Sequence, residues 1–599
     1  EISACLVGSE MCIRDSVKPF RFAHALFAAD PRVLIFSPVA LSPACREKKV
    51  GNSRTMSSLE LALSAHPLGV CPLGNAYLEG AKNLRPKGLG CFAYWEDAFL
   101  VQFLIEWLDV RSLLALSSAS RSFYALVNTP QVWREKYIRD KSGYVLKWNG
   151  SWRGTYAATE TQMKACQDAA TACRIHLSGV YSDTIYQEFI TASFDPRLFI
   201  EMHARREMRK LSRVRKIATD MVPERPSIPD NIERLDARTC NVSEFLTKYS
   251  QQGQPCILMH ATENWPCHAW SLDFIEKVWA TRMFQAEALR VNGENYVSYA
   301  RSVGGGGMPD PTSGVVPDTS PFYLFDADVA VEDAQAARDW RVPTLITRYP
   351  RSESLVDEEA NDEQIRADLF CLFGNARPDY RWLIAGPKRS GSCWHKDPNM
   401  TSAWNAVMQG SKYWMLLPPK TVPPGVYVTE DESEVTAPAS LSEWMLDFYA
   451  ETKAKHGRRE CGGDGQLVEA VCHEGEVMYV PSGWWHLVVN LDDSVALTQN
   501  FVSVTELPDV LSFMKYTPDQ ISGFRKDVAK TSVFEQFVEK LRSYDQDLTN
   551  DALARMPSRK VRKPAEPTRD WRERLCEESE TMCTFSSLVD DAELGETPW

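Results

Sequence analysis

From about residue 232 onward the chain is built of apolar runs only five to seven residues long, each punctuated by turn residues. They read PCILMH (255–260), PFYLFD (321–326), YRWLIAG (380–386), KYWMLLP (412–418), VMYVP (477–481) and HLVVNL (486–491). Runs this short, rich in Val, Ile, Tyr and Trp, are too brief for core helices and predict strands. Many such strands at close spacing predict a β-sandwich or barrel. Two polar stretches interrupt them and read as inserts: an acidic one at about 350–367 and a longer one at about 420–466. Gly304–Gly307, followed by Pro309 and Pro311, reads as a flexible loop. It lacks the strand-to-helix setting and Gly-Lys ending of a phosphate cradle. No internal repeat is present.

The chain before the strand-rich half reads differently. At 599 residues, length suggests about four domain-sized units. Net charge is −13, so no global basic field draws the protein to nucleic acid. The 16 cysteines form no CxxC pair, which predicts a reducing, nuclear or cytoplasmic setting and no secretion. No run of 18 apolar residues exists, so no membrane span is expected. Residues 1–55, which open EISACLVGSEMCIRDS, read as non-native translated sequence with Met56 as the start; the alternative is a genuine extension or targeting peptide. Residues 56–90 are then an N-terminal extension.

Residues 91–150 read as packed helices. Phe99, Phe103, Trp107 and Leu108 recur at helical spacing, Asp109 interrupts, and Leu113, Leu114 and Leu116 open a second helix. The string LIEWLDVRSLLALSSASRSFYALVNTPQVWREKY resembles the F-box, although Tyr94-Trp95-Glu96-Asp97 stands where that family opens with Leu-Pro. The resemblance implies docking to Skp1 through 91–140; the alternative is a plain three-helix packing element. Residues 151–230 are a helical linker containing the basic string HARREMRKLSRVR (203–215), with Pro223, Pro226 and Pro229 near its end. Residues 516–599 are a helical then polar tail with seven Lys or Arg in 558–574. Solvated faces are the default for both basic strings, with nucleic-acid binding or nuclear import as the alternative.

Chemistry enters at SGSCWHKDPNMTSAWN. On a strand, positions i and i+2 share a face, so His395 and Asp397 are expected side by side. His486 opens the strand after a Pro-Ser-Gly turn and supplies a third ligand. Two His and one carboxylate form the facial triad of non-haem Fe(II) oxygenases, leaving open positions for a chelating co-substrate and O2. A 2-oxo diacid held there needs a cation and hydroxyls at its far carboxylate. Lys412 is the natural cation, Thr498 a hydroxyl, and Tyr323 and Asn405 further polar groups on apolar segments. Trp484 and Trp485 read as wall and core, and His456 and His473 as exposed.

The blocks ARPDYRWLIAGPKRSGS, HKDP, TSAWNAVMQGSKYWMLLPP, GEVMYVPSGWWHLVVNL and ALTQNF occur in the order seen in Jumonji-C oxygenases. The stretch 368–502 resembles their arginine-demethylase and lysyl-hydroxylase subgroup, and a weaker likeness begins near 232. The resemblance implies an α+β chain with a double-stranded β-helix (cupin or jelly-roll) over 231–515, preceded by helices. It implies His395, Asp397 and His486 as iron ligands. It places the far carboxylate of 2-oxoglutarate at Lys412, Tyr323 and Thr498, with Asn405 as a further contact. Ser392 stands where the subgroup often has Thr. Trp394 and Lys396 depart from the subgroup and are expected to shape the pocket. The implied reaction hydroxylates a protein side chain, either at Lys or at an N-methyl group that then leaves as formaldehyde. The acidic insert suggests a basic substrate. The rivals are a ubiquitin-ligase specificity subunit whose barrel only binds, and a cupin loaded with zinc or manganese.

Overall fold

The structure is a computed structural model. It describes residues 85–141, 146–149, 151–160, 194–214, 228–304, 318–347, 368–429, 440–524 and 532–557, with isolated positions at 184, 191, 432 and 434–438. The opening stretch with Met56, the acidic insert at 350–367, most of the glycine loop and the basic tail at 558–574 lie outside the described residues. No described helix is long and apolar enough to cross a membrane.

Fifteen strands are described: β1 (Glu233–Asp236), β2 (Cys256–Met259), β3 (Met283–Ala286), β4 (Leu289–Asn292), β5 (Leu324–Asp326), β6 (Arg381–Gly386), β7 (Gly391–His395), β8 (Ser402–Gln409), β9 (Ser411–Leu417), β10 (Tyr427–Val428), β11 (Val435–Thr436), β12 (Val468–His473), β13 (Val477–Val480), β14 (Trp485–Asn490) and β15 (Ser494–Phe501). Nine of them form one sheet in the order β1-β2-β13-β8-β15-β6-β5-β3-β4. Four form a second sheet, β12-β9-β14-β7, and β10 pairs β11 as a small hairpin. This is the cupin-like arrangement expected.

Side-chain parity sorts the core into layers. Trp414 and Leu416 of β9, Val488 of β14, Ala403 and Val407 of β8, and Met478 and Val480 of β13 meet between the sheets. The alternate residues face outward onto helices: Trp404, Ala406, Leu497 and Tyr479 on one side, Tyr413, Met415, Leu487 and Val489 on the other. Both faces of these strands are therefore buried, which is why the sequence shows continuous apolar runs rather than alternation.

The covering helices are α1 (Val110–Ala119), α2 (Arg121–Val127), α3 (Pro130–Lys141), α4 (Trp152–Glu160), α5 (Pro196–Val214), α6 (Gly293–Gly304), α7 (Leu441–His456), α8 (Leu507–Tyr516), α9 (Val533–Tyr544) and α10 (Gln546–Arg555). Leu113, Phe123, Tyr137 and Trp152 of α1–α4 share one apolar core with Phe284, Leu289, Tyr299 and Phe322. Helices α8–α10 close a third core over Phe370 and Phe373. The stretch 420–466 is more than the polar insert expected. It builds α7, whose Trp444, Met445 and Tyr449 are buried against β9 and β14. Ser440 caps α7 at the Glu443 N–H, a Ser-x-x-Glu start that the sequence carries in plain view.

Candidate active site

Strand β7 is the edge of the four-stranded sheet and pairs with β14. His395 stands directly opposite His486, and Ser392 opposite Val488, with an irregularity between. Opposed residues share a face, so this irregularity turns both His395 and Ser392 inward although they are three positions apart. The two imidazole rings lie 4.1 Å apart between centroids. Asp397 is not on the strand as the i, i+2 argument expected. β7 ends at His395, and Asp397 precedes a tight turn through Pro398, Asn399 and Met400. Proline cannot continue the ladder, and Asn399 and Met400 adopt positive φ of 55° and 58°. The turn swings the carboxylate back, so that Asp397 Oδ2 lies 4.0 Å from His486 Nε2.

Each donor is prepared for a cation. His395 Nδ1 lies 2.7 Å from the Cys393 carbonyl, and His486 Nδ1 lies 3.1 Å from the Trp484 carbonyl. A carbonyl only accepts, so Nδ1 carries the proton and Nε2 keeps its lone pair. Burial, with His486 as neighbour and against the pull of Asp397, lowers the His395 pKa to about 4. Burial also lowers His486 to about 4. Both rings are neutral near pH 7, as metal ligation requires. Asp397 Oδ1 accepts from Asn500 Nδ2 at 3.0 Å, while Oδ2 is buried with no hydrogen-bond partner. A buried orphan carboxylate oxygen is costly unless a cation meets it. The donors are looser than a finished coordination sphere, and among the described residues no three such side chains close on one point. Two neutral imidazoles and an orphan carboxylate on one side nevertheless fit a divalent ion with open positions.

The second cluster lies on the same sheet face. Lys412 of β9 pairs with Asn490 of β14, four positions from the Leu416–His486 pair, or about 13 Å along the strand. Lys412 is fully buried and donates from Nζ to Tyr323 Oη at 2.8 Å and to Asn490 Oδ1 at 2.7 Å. Both partners are neutral. Burial pushes the Lys412 pKa down to about 7, a penalty on the order of 5 kcal/mol against the charged form. Such a site is short of one anion. Gly386 packs against the cluster: a Cβ there would meet Ser390 Oγ at 2.2 Å, Tyr323 Cδ2 at 2.6 Å and Asn490 Nδ2 at 2.9 Å.

The opposite sheet contributes Asn405 and Thr498, which pair directly across β8 and β15. Asn405 Oδ1 is buried without a partner. Thr498 Oγ1 donates to the Trp404 carbonyl at 2.8 Å, so its proton is already used and its lone pairs remain. Ser392 is half-buried. A cleft of about 1780 Å³ is lined by Tyr323, Ser392, His395 and Asp397, with His486 and Lys412 buried behind that lining. Nine Asp or Glu line it against four Lys or Arg.

Trp484 and Trp485 are buried, as wall and core should be. Trp394 packs on Trp444 and, like Lys396, lines the cleft, as expected of residues that shape the pocket; Lys396 lies 4.8 Å from the Trp485 ring centroid. His473 is exposed, but His456 is partly shielded and pairs with Asp464 at 2.8 Å. Sequence reasoning missed Asn490, Asn500 and Gly386. The first two lie on the same interior faces as His486 and Thr498 by simple alternation, which was the available signal.

The family described as a cupin-like domain matches residues 242–506. The chain is 35% identical over 460 residues to the arginine-specific demethylase JMJ22 of Arabidopsis thaliana, covering 76% of this chain and 77% of that protein. It is 28% identical over 291 residues to the bifunctional arginine demethylase and lysyl-hydroxylase psr-1 of Caenorhabditis elegans, 47% of this chain and 64% of that one. The 2-oxoglutarate and iron-dependent oxygenase JMJD4 of Mus musculus is 30% identical over 142 residues, 23% of this chain and 30% of that one.

Proposed function

The chain belongs to the cupin-like, Jumonji-C family of 2-oxoglutarate- and iron-dependent oxygenases, and from that premise we propose that it hydroxylates a cationic side chain of a protein. The observation that carries this reading is the pairing, on one interior sheet face, of the His395–Asp397–His486 donors with the anion-deficient Lys412. In this reading His395, Asp397 and His486 hold Fe(II). Lys412 and Tyr323 take the far carboxylate of 2-oxoglutarate, and Asn405, Thr498 and Ser392 line its path. Bound together, these groups supply O2 activation at the cost of 2-oxoglutarate, which leaves as succinate and CO2 while one oxygen atom enters a substrate C–H bond. The protein's part is to fix the imidazole tautomers, to hold the Asp397 carboxylate through Asn500 although burial pushes its pKa up, and to exclude water by burying both clusters. The surplus of carboxylates along the cleft favours a Lys or Arg side chain, and the cleft is large enough for a peptide segment. Hydroxylation of a side-chain carbon leaves a stable alcohol, whereas hydroxylation of an N-methyl group releases formaldehyde. We favour the former.

The deciding experiment measures succinate formed from 2-oxoglutarate under Fe(II) and O2, with His395→Ala beside wild type. Turnover lost in the variant supports the oxygenase. Absence of turnover, with no 2-oxoglutarate binding, removes it and leaves a barrel that only binds. Zinc or manganese as the metal bound, together with no dependence on 2-oxoglutarate, would favour the other cupin chemistry. Formaldehyde assayed in parallel separates demethylation from stable hydroxylation. We also propose a nuclear or cytoplasmic setting, supported by scattered cysteines without CxxC pairs.

A second reading concerns partners. Tyr94, Phe103 and Trp107 are 93%, 65% and 60% exposed on the helices that resemble the F-box, with Phe103 stacked on Phe99 and Arg139 over Trp107, and this concentration of exposed aromatics supports docking to Skp1. Capture of purified Skp1 that is abolished by Phe103→Asp would support it. Equal capture by the variant would argue against it.

A further inference from the structure

Phe322 and Tyr323 lead into β5, and their backbone N–H groups are held by side chains. Phe322 donates to Tyr299 Oη at 2.9 Å, and Tyr323 donates to Glu287 Oε1 at 3.1 Å. Each acceptor is in turn held from the N-terminal helices. Arg134 of α3 donates from Nη2 to Glu287 Oε2 at 3.2 Å. Trp152 of α4 donates from Nε1 to Asp318 Oδ2 at 2.9 Å, the same oxygen that accepts from Tyr299 Oη at 2.7 Å. Arg134 also lies over the Phe322 ring, 4.6 Å from its centroid.

Three features mark this as more than incidental packing. Arg134 is buried, and Asp318 and Glu287 hold it charged against the pull of burial. Glu287 occupies the two-residue turn between β3 and β4 with φ of 47°, a left-handed conformation that favours glycine. A strained glutamate therefore stands at the point where its carboxylate bridges α3 to the Tyr323 backbone. Tyr323 at its other end accepts from Lys412 Nζ.

We infer that the N-terminal helices are a functional part of the co-substrate seat, with Arg134 as a positioning residue that fixes Tyr323 against Lys412 through Glu287. The inference rests on the reading of Lys412 and Tyr323 as the carboxylate seat. Movement of α3 against the β3–β4 turn then reaches the seat through the Glu287 carboxylate, with Arg134 also packed over the Phe322 ring beside Tyr323. The bond pattern splits the Glu287 carboxylate between two elements, with one oxygen held by the helix and the other holding the strand.

The test uses the full chain loaded with Mn(II), with 2-oxoglutarate affinity read by calorimetry and steady-state constants read with Fe(II). Arg134→Ala should weaken 2-oxoglutarate binding about tenfold, raising its KM by a like factor with kcat within about twofold. Glu287→Gln should do the same, the double variant should be no worse than either single one, and Arg134→Lys should recover most of the loss. Arg139→Ala on the same helix serves as the control, because its contacts run to the Glu106 carbonyl, Asp140 and the Trp107 ring and not to Glu287. If Arg134→Ala does not fold, Glu287→Gln carries the test alone. Unchanged affinity in a folded Arg134→Ala, additive losses in the pair, or losses that merely track melting temperature would overturn the inference. Wild type that binds no 2-oxoglutarate sinks the oxygenase reading as well; wild type that binds it while Arg134→Ala matches it sinks only this one.

Discussion

Lys412 shows how one buried residue sets a binding condition. Its ammonium has two neutral partners, and burial pushes its pKa down to about 7, so it gives up its proton far more readily than an exposed lysine. A bound carboxylate favours the charged form and raises that pKa, so above pH 7 binding takes up a proton. Affinity for 2-oxoglutarate should therefore fall as pH rises past 7, by up to about tenfold per unit. Calorimetry in buffers of differing ionisation heat would register the proton uptake. Lys412→Arg, whose guanidinium stays charged, should flatten the profile, and an identical profile in that variant would refute the assignment. Asn500 poses a complementary case. It donates to Asp397 Oδ1 and to Thr401 Oγ1 at 2.8 Å, orienting the carboxylate so that Oδ2 faces the imidazoles. Asn500→Ala should weaken Mn(II) binding about 10- to 100-fold while leaving the fold intact. Titration of the metal followed by circular dichroism of the apo-protein would separate the two effects.

Among the elements, α7 is the part that sequence patterning mistook for an insert. Its apolar residues are interleaved with Glu, Asp and Lys, because one face packs on the barrel while another carries a buried ion cluster. Lys453 bonds both Glu469 of β12 and Glu207 of α5, and Glu469 also accepts from Tyr413 Oη at 2.6 Å. Removing the lysine strands two carboxylates at low exposure. Lys453→Met should cost about 3–5 kcal/mol in urea unfolding at pH 7. A loss below about 1 kcal/mol, the range of an exposed pair, would mean that the cluster is wetter than its burial suggests. Strand β7 carries the opposite lesson. Its residues were legible as site residues, but the irregularity opposite β14 that points His395 and Ser392 the same way was not. A register shift depends on the partner strand, and no local pattern in GSCWH announces it.

At the scale of the molecule, the two barrel histidines link the site to stability. Their folded pKa values near 4 lie below the unfolded value of 6.5, so the unfolded chain binds more protons between those limits. Their penalty is absent above pH 6.5 and grows as pH falls toward 4, where it is complete. The metal-free protein should therefore lose stability between pH 6.5 and 4, and His486→Gln should lose less. Denaturant midpoints at about pH 7 and about pH 5 would decide it, and equal losses in both proteins would assign the acid sensitivity elsewhere. The strand-rich half, the cupin-like class and the donor types were legible in the chain alone, because short apolar runs and the HKD, GWWH and SKYW blocks are local. The placing of Lys412 in a buried strand was equally local. Folding in three dimensions supplied the rest: Asp397 leaves the strand and returns through a turn, Asn490 and Gly386 frame the Lys412 seat, and Arg134 reaches that seat from the first helices. These depend on contacts between residues far apart in the chain, where the energy of burying a charge is settled by what the fold brings beside it.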